Sequence, residues 1–178
     1  MAMQYDVKQA HLNSSGYFTN YGTRVKGISF TGGASAGYVI LFDASSVPVS
    51  SSVTYAQSGN TVTVPKVAHG LTTGTIIGIH FAQNGSGVSS TDGTYSITRT
   101  GADTFTLTDI NSRTITSTAA VYAVGRWILT YESFAGDYFS NTPTIPGEGI
   151  RANTSVYAEI SNMDFDIASE GGVTSIIG

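Results

Sequence analysis

The chain has 178 residues, of which 8 are Lys or Arg and 12 are Asp or Glu, so its formal net charge is −4. Only 11% of the residues are charged, against about 25% in an average soluble domain. A nucleic-acid interface needs clustered basic side chains, and the few basic residues here are scattered, so this composition argues against a nucleic-acid partner.

The chain contains no cysteine, which excludes disulfides, thiolate metal sites and cysteine nucleophiles. Its first residues lack a basic segment followed by an apolar one, so we expect no cleavable signal peptide. No apolar run approaches the roughly 20 residues that cross a bilayer as a helix, so we expect no membrane partner. Ten Tyr, eight Phe and many Thr and Gly are typical of strands and turns rather than of disorder.

Strand patterns and turn residues alternate along the first part of the chain. Residues 11–23 hold Asn, Ser and Gly clusters around a few aromatics and are predicted to form a loop. Residues 24–30 alternate between apolar and polar side chains, as a half-buried strand does, and residues 38–42 form an apolar strand. The glycine-rich segment 31–37 between them predicts a hairpin.

Residues 53–124 have the pattern of a complete small β module. Predicted strands follow one another at 61–64, 76–81, 94–98, 104–108 and 115–122. Glycine-rich turns separate them, and about five strands in about 70 residues is the spacing of a small β-barrel or sandwich. Its three basic and three acidic residues balance, whereas the acidic excess of the chain lies mostly after residue 125.

The remaining segments, 1–52 and 125–178, are predicted to form one discontinuous outer body. If a strand at 126–131 pairs with the strand at 38–42, the module sits at a hairpin tip, where insertions are tolerated. Six to eight strands and no helix longer than two turns are expected in this body. The predicted fold is therefore all-β, with a jelly-roll-like or β-sandwich outer domain and a small module inserted in a hairpin.

Histidine supplies one candidate for catalysis. His69, in the sequence Ala-His-Gly-Leu, could act as a general base or a ligand. His11 and His80 are the other two histidines, and neither has metal-ligand spacing with His69. A turn residue whose ring covers the end of the module is therefore the favoured interpretation.

Two further patterns could support chemistry. Asp164 and Asp166 alternate, so a strand would place both on one face, where they could do acid–base work or bind a hard cation. An exposed strand face is the favoured interpretation. The glycine-rich runs 32–33 and 84–87 precede no predicted helix, so neither indicates a phosphate site. We therefore predict no catalytic residue, no metal ligand and no cofactor.

Aromatic residues in predicted loops are candidates for an interface. They are Tyr17, Phe18, Tyr21, Phe134, Tyr138 and Phe139. Aromatic side chains in loops can anchor a protein in an assembly, or they can cap the ends of a sandwich. The sequence leaves both alternatives open.

Short motifs carry two resemblances. Segments 58–64 (SGNTVTV), 68–74 (AHGLTTG), 92–95 (DGTY) and 103–107 (DTFTL) are similar to small β modules that recur in bacteriophage virion proteins. The outer body resembles small structural proteins of T7-like podoviruses, cyanophages especially. The segments that carry this second resemblance are 24–28 (RVKGI), 37–43 (GYVILFD), 145–151 (IPGEGIR), 156–160 (VYAEI) and the terminal 175–178 (SIIG). The stretch 166–172 is longer than this pattern suggests.

The resemblance implies a virion structural protein that is assembled in the host cytoplasm and is not an enzyme. It implies a capsid decoration or cement protein, bound to the major capsid protein or to other virion proteins and present as a homo-oligomer on the particle. The outer body would dock and the insert would be displayed.

Two alternatives remain at this stage. One is a tail component, such as an adaptor, a nozzle or a fibre-associated module. The other is a carbohydrate-binding module or a glycan-cleaving enzyme, for which Trp127 could stack on a sugar. The apolar neighbours of Trp127 favour a core position, and a glycosidase would need two carboxylates about 5–10 Å apart.

Overall fold

A computed structural model describes residues 8–31, 34, 37–133, 136, 140–142, 145, 147–161 and 172–177. Over these ranges the chain forms 14 β-strands joined by turns, bends and irregular segments, and it contains no helix. The predicted all-β class is therefore confirmed. Within the same ranges, no helix has the length and apolar character needed to cross a membrane.

The chain divides into two compact units. The first comprises Met1–Val47 and Trp127–Gly178, and the second comprises Pro48–Arg126. The chain leaves the first unit after β4 (Gly37–Asp43) and re-enters it on β10 (Arg126–Ser133). These two strands are hydrogen-bonded neighbours in one sheet, so the predicted pairing of the strands that flank the insert is confirmed.

The first unit contains two sheets. Besides β4 and β10, its strands are β1 (Lys8–Leu12), β2 (Gly16–Thr19), β3 (Thr23–Thr31), β11 (Ser140–Asn141), β12 (Ile150–Ala152), β13 (Val156–Ser161) and β14 (Gly172–Ile177). One sheet has the order β1-β14-β3-β11, with β12 also paired to β3. The other has the order β10-β4-β13-β2.

The core of the first unit contains side chains from both sheets, which makes the unit a β-sandwich. β3 contributes Val25, Ile28 and Phe30, none of them more than 5% exposed. β4 contributes Leu41 from the other sheet. The ring of Phe30 lies 5.1 Å from that of Tyr131 on β10, so aromatic contact also joins the two sheets.

Three predictions for this unit are wrong. Its described residues form nine strands, where six to eight were expected. The segments 24–30 and 38–42 do not form a hairpin, because β3 and β4 belong to different sheets. β14 occupies one edge of β3, while β11 and β12 pair along it as well, so no edge is left for β4. Residues 11–23 are not one loop either, because they contain β2, which pairs with β13 and buries Phe18.

The second unit is one five-stranded sheet. Its strands are β5 (Ser51–Pro65), β6 (Ile76–Phe81), β7 (Gly93–Ser96), β8 (Thr98–Arg99) and β9 (Thr104–Val124). Their order is β5-β9-β6-β7, with β8 also paired to β9. The strand predicted at 76–81 is confirmed, whereas those predicted at 104–108 and 115–122 are two parts of β9.

Two register shifts bend the long β5–β9 ribbon. One lies between Tyr55 and Gln57, and the other between Gly59 and Thr61. Gly59 has a φ of 62°, which glycine adopts without steric cost. The shifts change which alternate side chains of β5 and β9 point toward the core of the second unit. Both halves of the ribbon therefore contribute to one core, as the buried Tyr55 and Val62 show.

Candidate functional site

The structure separates the predicted interface aromatics into three groups. Tyr17 and Tyr21 are exposed, at 37% and 45%. Phe18 is only 7% exposed and packs in the sandwich core, so its ring is not part of the surface. The other three lie outside the described residues: Phe134, Tyr138 and Phe139.

Tyr17 lies on an edge strand. β2 is the last strand of its sheet, and among the described strands only β13 pairs with it. The Tyr17 ring meets that of Tyr157 edge-on at 5.0 Å, which holds it against the sheet. Burial, with Glu159 and Tyr17 nearby, raises the pKa of the Tyr157 hydroxyl, so the group under Tyr17 stays uncharged. This edge combines an exposed aromatic ring with backbone to which no second described strand is paired.

His69 is a structural turn residue, as predicted. Its Nδ1 accepts a hydrogen bond from the Leu71 backbone N–H at 3.0 Å, and its Nε2 lies 3.2 Å from the Gly101 carbonyl. Since Nδ1 is the acceptor, Nε2 carries the proton and donates to Gly101. The ring also packs edge-on against the buried Phe105 at 5.4 Å. Both ring nitrogens are therefore engaged in holding the turn.

A buried polar network supports the second unit at the shift near Gly59. Gln57, only 2% exposed, donates through Nε2 to the carbonyls of Gly59 (2.9 Å) and Asn111 (2.7 Å). Its Oε1 accepts from the Ser90 hydroxyl at 2.5 Å. Asn60 donates to the Asp109 carbonyl at 2.9 Å. These bonds satisfy backbone groups that the register shift leaves without a ladder partner.

Asp109 is the charged member of this network and is 1% exposed. Its carboxylate accepts hydrogen bonds from the Asn111 N–H at 3.0 Å and the Thr91 N–H at 2.8 Å, with Arg113 at 3.5 Å. Burial alone would raise the pKa of Asp109, but these amide donors, with Thr91's side chain and Arg113, outweigh it and hold the pKa below its usual value. The carboxylate is thus a structural anion, not a proton donor at neutral pH.

The network ties the 82–92 loop to the ribbon. Arg113 donates to the Ser89 carbonyl at 2.5 Å, and Tyr95 donates to the Thr91 carbonyl at 2.5 Å. Burial first, then the Asp109 and Asp92 charges, raises the pKa of Tyr95 to about 12, so its hydroxyl remains a donor. The sequence patterns did not predict this network, although the Asp-Ile-Asn spacing at 109–111 is typical of a side chain that caps its own backbone two residues later.

The other candidates for chemistry gain little support. Trp127 is half-buried, its ring lies 6.4 Å from that of the fully buried Phe42, and its Nε1 donates to the Thr130 hydroxyl. Asp164 and Asp166 lie outside the described residues. In the part of the chain that the structure describes, no group of three or more His, Asp or Glu side chains could hold a metal ion.

Comparison with known proteins assigns no family. No family model matches the chain. No curated protein matches it either. Among solved structures, it is similar to the phage phi92 endosialidase, with a TM-score of 0.33 and 16% sequence identity. The match covers 79% of this chain but 20% of the endosialidase chain, and a likeness at this TM-score carries no argument about function.

Proposed function

We propose that the chain is a bacteriophage virion structural protein, a capsid decoration protein that binds the major capsid protein through its first unit and displays its second. It acts by binding rather than by catalysis, as a homo-oligomer on the particle. One observation carries the proposal: a complete β unit, Pro48–Arg126, is inserted between β4 and β10, which are neighbours in one sheet. Such an arrangement lets one body attach while the other is presented.

The edge of β2 supports this attachment. Tyr17 and Tyr21 are exposed on or beside that strand, and its outer side pairs with no described strand. A strand from a partner can add to such an edge through backbone hydrogen bonds, while aromatic side chains supply anchors. Few charges are needed for this mode, which suits a chain with 11% charged residues.

Deletion of the insert tests the division of roles. Joining Val47 to Trp127 by a short turn removes Pro48–Arg126, including the first residue of β10, and keeps every strand of the two sheets of the first unit. The shortened protein is expected to bind particles that lack the native protein, as the full chain does. Circular dichroism establishes that the shortened protein is folded, and loss of binding by a folded variant would contradict the proposal.

A Tyr17→Ser, Tyr21→Ser double variant tests the surface. It is expected to weaken particle binding at least tenfold, because exposed aromatic anchors carry much of the energy of an interface. The matched control is Val67→Ser in the second unit, which removes a side chain that is 79% exposed. Equal binding by the double variant and the control would place the docking surface elsewhere.

The copy number per particle distinguishes a capsid decoration protein from a tail component. A decoration protein is present in tens to hundreds of copies per particle, whereas a tail adaptor, nozzle or fibre module is present in about six or twelve. Gel densitometry of purified virions against the major capsid protein measures this ratio. For the glycan alternative, the packing of Trp127 on Phe42 leaves that ring less available to stack on a sugar, and a glycan array provides the direct test.

A further inference from the structure

We propose that the second unit carries a self-association surface, the outer edge of β5 over residues 51–58, to which the same edge of a second copy of the chain adds as an antiparallel strand. The pairing joins the sheets of two copies across a two-fold axis. This proposal gives the homo-oligomer of the proposed function an interface and rests on that part of it, but it does not depend on the virion role.

β5 is an edge strand. It stands at one end of the order β5-β9-β6-β7, and among the described strands only β9 pairs with it. The extra residues at the register shifts belong to β9, since Ala56 lies opposite both Thr116 and Ser117 at the first shift. Residues 51–58 therefore form a regular strand, which ends where Gly59 adopts a φ of 62°. The outer side of this strand is open to a further strand.

The edge lacks the features that usually protect a sheet from pairing with another chain. Natural edges are short or carry charged side chains or proline. Residues 51–58, with the sequence SSVTYAQS, contain neither a charge nor a proline. The opposite edge of the same sheet, β7, has four residues. Elsewhere, the edge strand β1 carries Lys8, and β10 carries Arg126 and Glu132. Among the described edges, β5 thus offers the longest uncharged segment.

Contacts with the core hold this part of β5 in place. Tyr55 and Gln57 point inward and are 1% and 2% exposed. The Tyr55 hydroxyl donates to the Ala82 carbonyl at 3.1 Å, and its ring lies 4.6 Å from that of Phe81. An edge that is already ordered loses little conformational entropy when a strand adds to it.

The other face of the strand suits a copy of itself. Its exposed side chains are small and uncharged: Ser52, Thr54, Ala56 and Ser58. In a two-fold antiparallel pair, members of this set lie opposite one another, so no like charges meet and hydroxyl groups can hydrogen-bond across the strands.

Charge also favours association through the second unit. Residues 53–124 carry three basic and three acidic residues, whereas the acidic excess of the chain lies mostly after residue 125. Surfaces with a net charge near zero associate more readily than charged ones. Two copies therefore meet with less repulsion through this unit than through the acidic one, and the balanced charge gives no advantage to a strongly charged partner.

The size and symmetry of the contact define the assembly. A single pair of short strands forms a small interface, and small interfaces are transient, so we expect reversible dimers in solution. A two-fold pair uses both edges, which closes the assembly at two copies. Copies held side by side on a surface would meet at a high effective concentration.

Disulfide trapping in the full chain tests the pairing. The native chain has no cysteine, so the variants S52C, T54C, A56C and S58C each carry a single thiol. They are oxidised mildly, singly and in mixtures of neighbouring positions, so that registers centred on any of residues 52–58 are sampled. A disulfide needs two Cα atoms about 4.4–6.8 Å apart. We expect one variant or one mixture to give far more linked dimer than the others.

The control for this experiment is S96C, at an exposed position on β7, which measures the dimer that random collisions produce. Yields at every β5 position no higher than that of S96C would overturn the proposal.

Added charge tests the same edge without cross-linking. T54K is expected to weaken dimerisation at least tenfold in analytical ultracentrifugation, because lysines on the two paired edges repel. S96K adds the same charge to β7 and is expected to leave dimerisation unchanged. An equal mixture of T54K and T54E should restore the dimer, since opposite charges then meet across the pair. Circular dichroism establishes that each variant is folded.

Two results in this experiment would overturn the proposal. One is a dimer that T54K does not weaken. The other is a native chain that stays monomeric at its highest soluble concentration, which would leave the β5 edge to a strand from a different protein. Particle binding is measured separately, so a monomeric chain that still binds particles would overturn this interface and leave the capsid role standing.

Discussion

The two units differ in how far apart in sequence their paired strands lie. In the first unit, β1 pairs with β14, so Lys8 lies opposite Ile177, and β2 and β3 pair with β13 and β12. In the second unit, every pairing is made within Pro48–Arg126. Distant pairings carry the larger loop-closure cost. The second unit is therefore complete in itself, whereas the first needs both ends of the chain.

Their interiors differ as well. The sandwich core of the first unit is apolar, and its buried Thr19, Asp43 and Ser155 form hydrogen bonds with the backbone of nearby turns and loops. The second unit has an apolar core together with the buried Gln57, Ser90 and Asp109, which hydrogen-bond to backbone and to one another. In the second unit, a satisfied polar network fixes a loop and a bulge that apolar packing alone would leave less defined.

The largest expected effect comes from removing β14. This strand lies between β1 and β3, so a chain that ends at residue 171 loses the pairings on both sides. We expect the first unit to unfold while the second stays folded. Trp127, the single tryptophan, reports on the first unit by fluorescence, and hydrogen exchange of the β6 amides reports on the second. Parallel loss of both signals would show that the units do not fold separately.

The next effect concerns a backbone contact in the first unit. Gly149 has a φ of 80°, and a Cβ there would lie 2.5 Å from the Val25 carbonyl oxygen. Gly149→Ala should lower the free energy of unfolding by about 2–5 kcal/mol, since left-handed strain and overpacking add. Gly147→Ala is the matched control, because Gly147 has a φ of 66° but a Cβ there would meet no atom within 4 Å.

Gly147→Ala should therefore lower the free energy of unfolding by only about 1–2 kcal/mol, the cost of placing an alanine in the left-handed region. Urea denaturation followed by Trp127 fluorescence measures both variants. Equal losses would mean that the contact with Val25 relaxes without cost.

Asp109 provides the corresponding test of the second unit. Asp109→Ala should lower the free energy of unfolding of that unit by about 2–3 kcal/mol, because the Thr91 and Asn111 amides lose their acceptor. Asp103→Ala, at an exposed carboxylate that accepts one bond from the Ala68 amide, should cost about 1 kcal/mol or less. Hydrogen exchange of the second unit measures the loss of stability in both variants. Similar losses in Asp109→Ala and Asp103→Ala would refute a special role for the network.

The smallest effect is a pH dependence confined to the second unit. The pKa of Asp109 is lowered on folding from its ordinary value of 3.8, so the stabilisation is fully present above that value. It is lost as the pH falls through the lower pKa of the folded state. Below pH 3.8, the native second unit should lose more stability than an Asp109→Asn variant. Hydrogen exchange between about pH 5 and pH 2 measures how the free energy of unfolding of the second unit changes with pH. The same dependence on pH in the native protein and in the Asp109→Asn variant would contradict this prediction.

Local sequence determined the class of the fold and several of its strands. The alternation at 24–30 placed β3 within one residue of each of its ends, because that strand has a buried and a more exposed face. The apolar run at 76–81 placed β6 with the bounds that the structure gives it. The turn around His69 was also predicted, and Gly70 adopts a φ of 67° there, which glycine does without steric cost. These features depend on neighbours in the chain, so the sequence contains them directly.

Tertiary structure decided which strands meet. The glycine-rich segment 31–37 predicted a hairpin, but β3 instead pairs with β11, β12 and β14, which come more than 100 residues later. Likewise, nothing local indicates that Arg24 would face Arg151, or that Asp109 would accept the Thr91 amide. Local pattern fixes the period and the buried face of a strand, whereas its partners depend on which distant surfaces bury the most apolar area together.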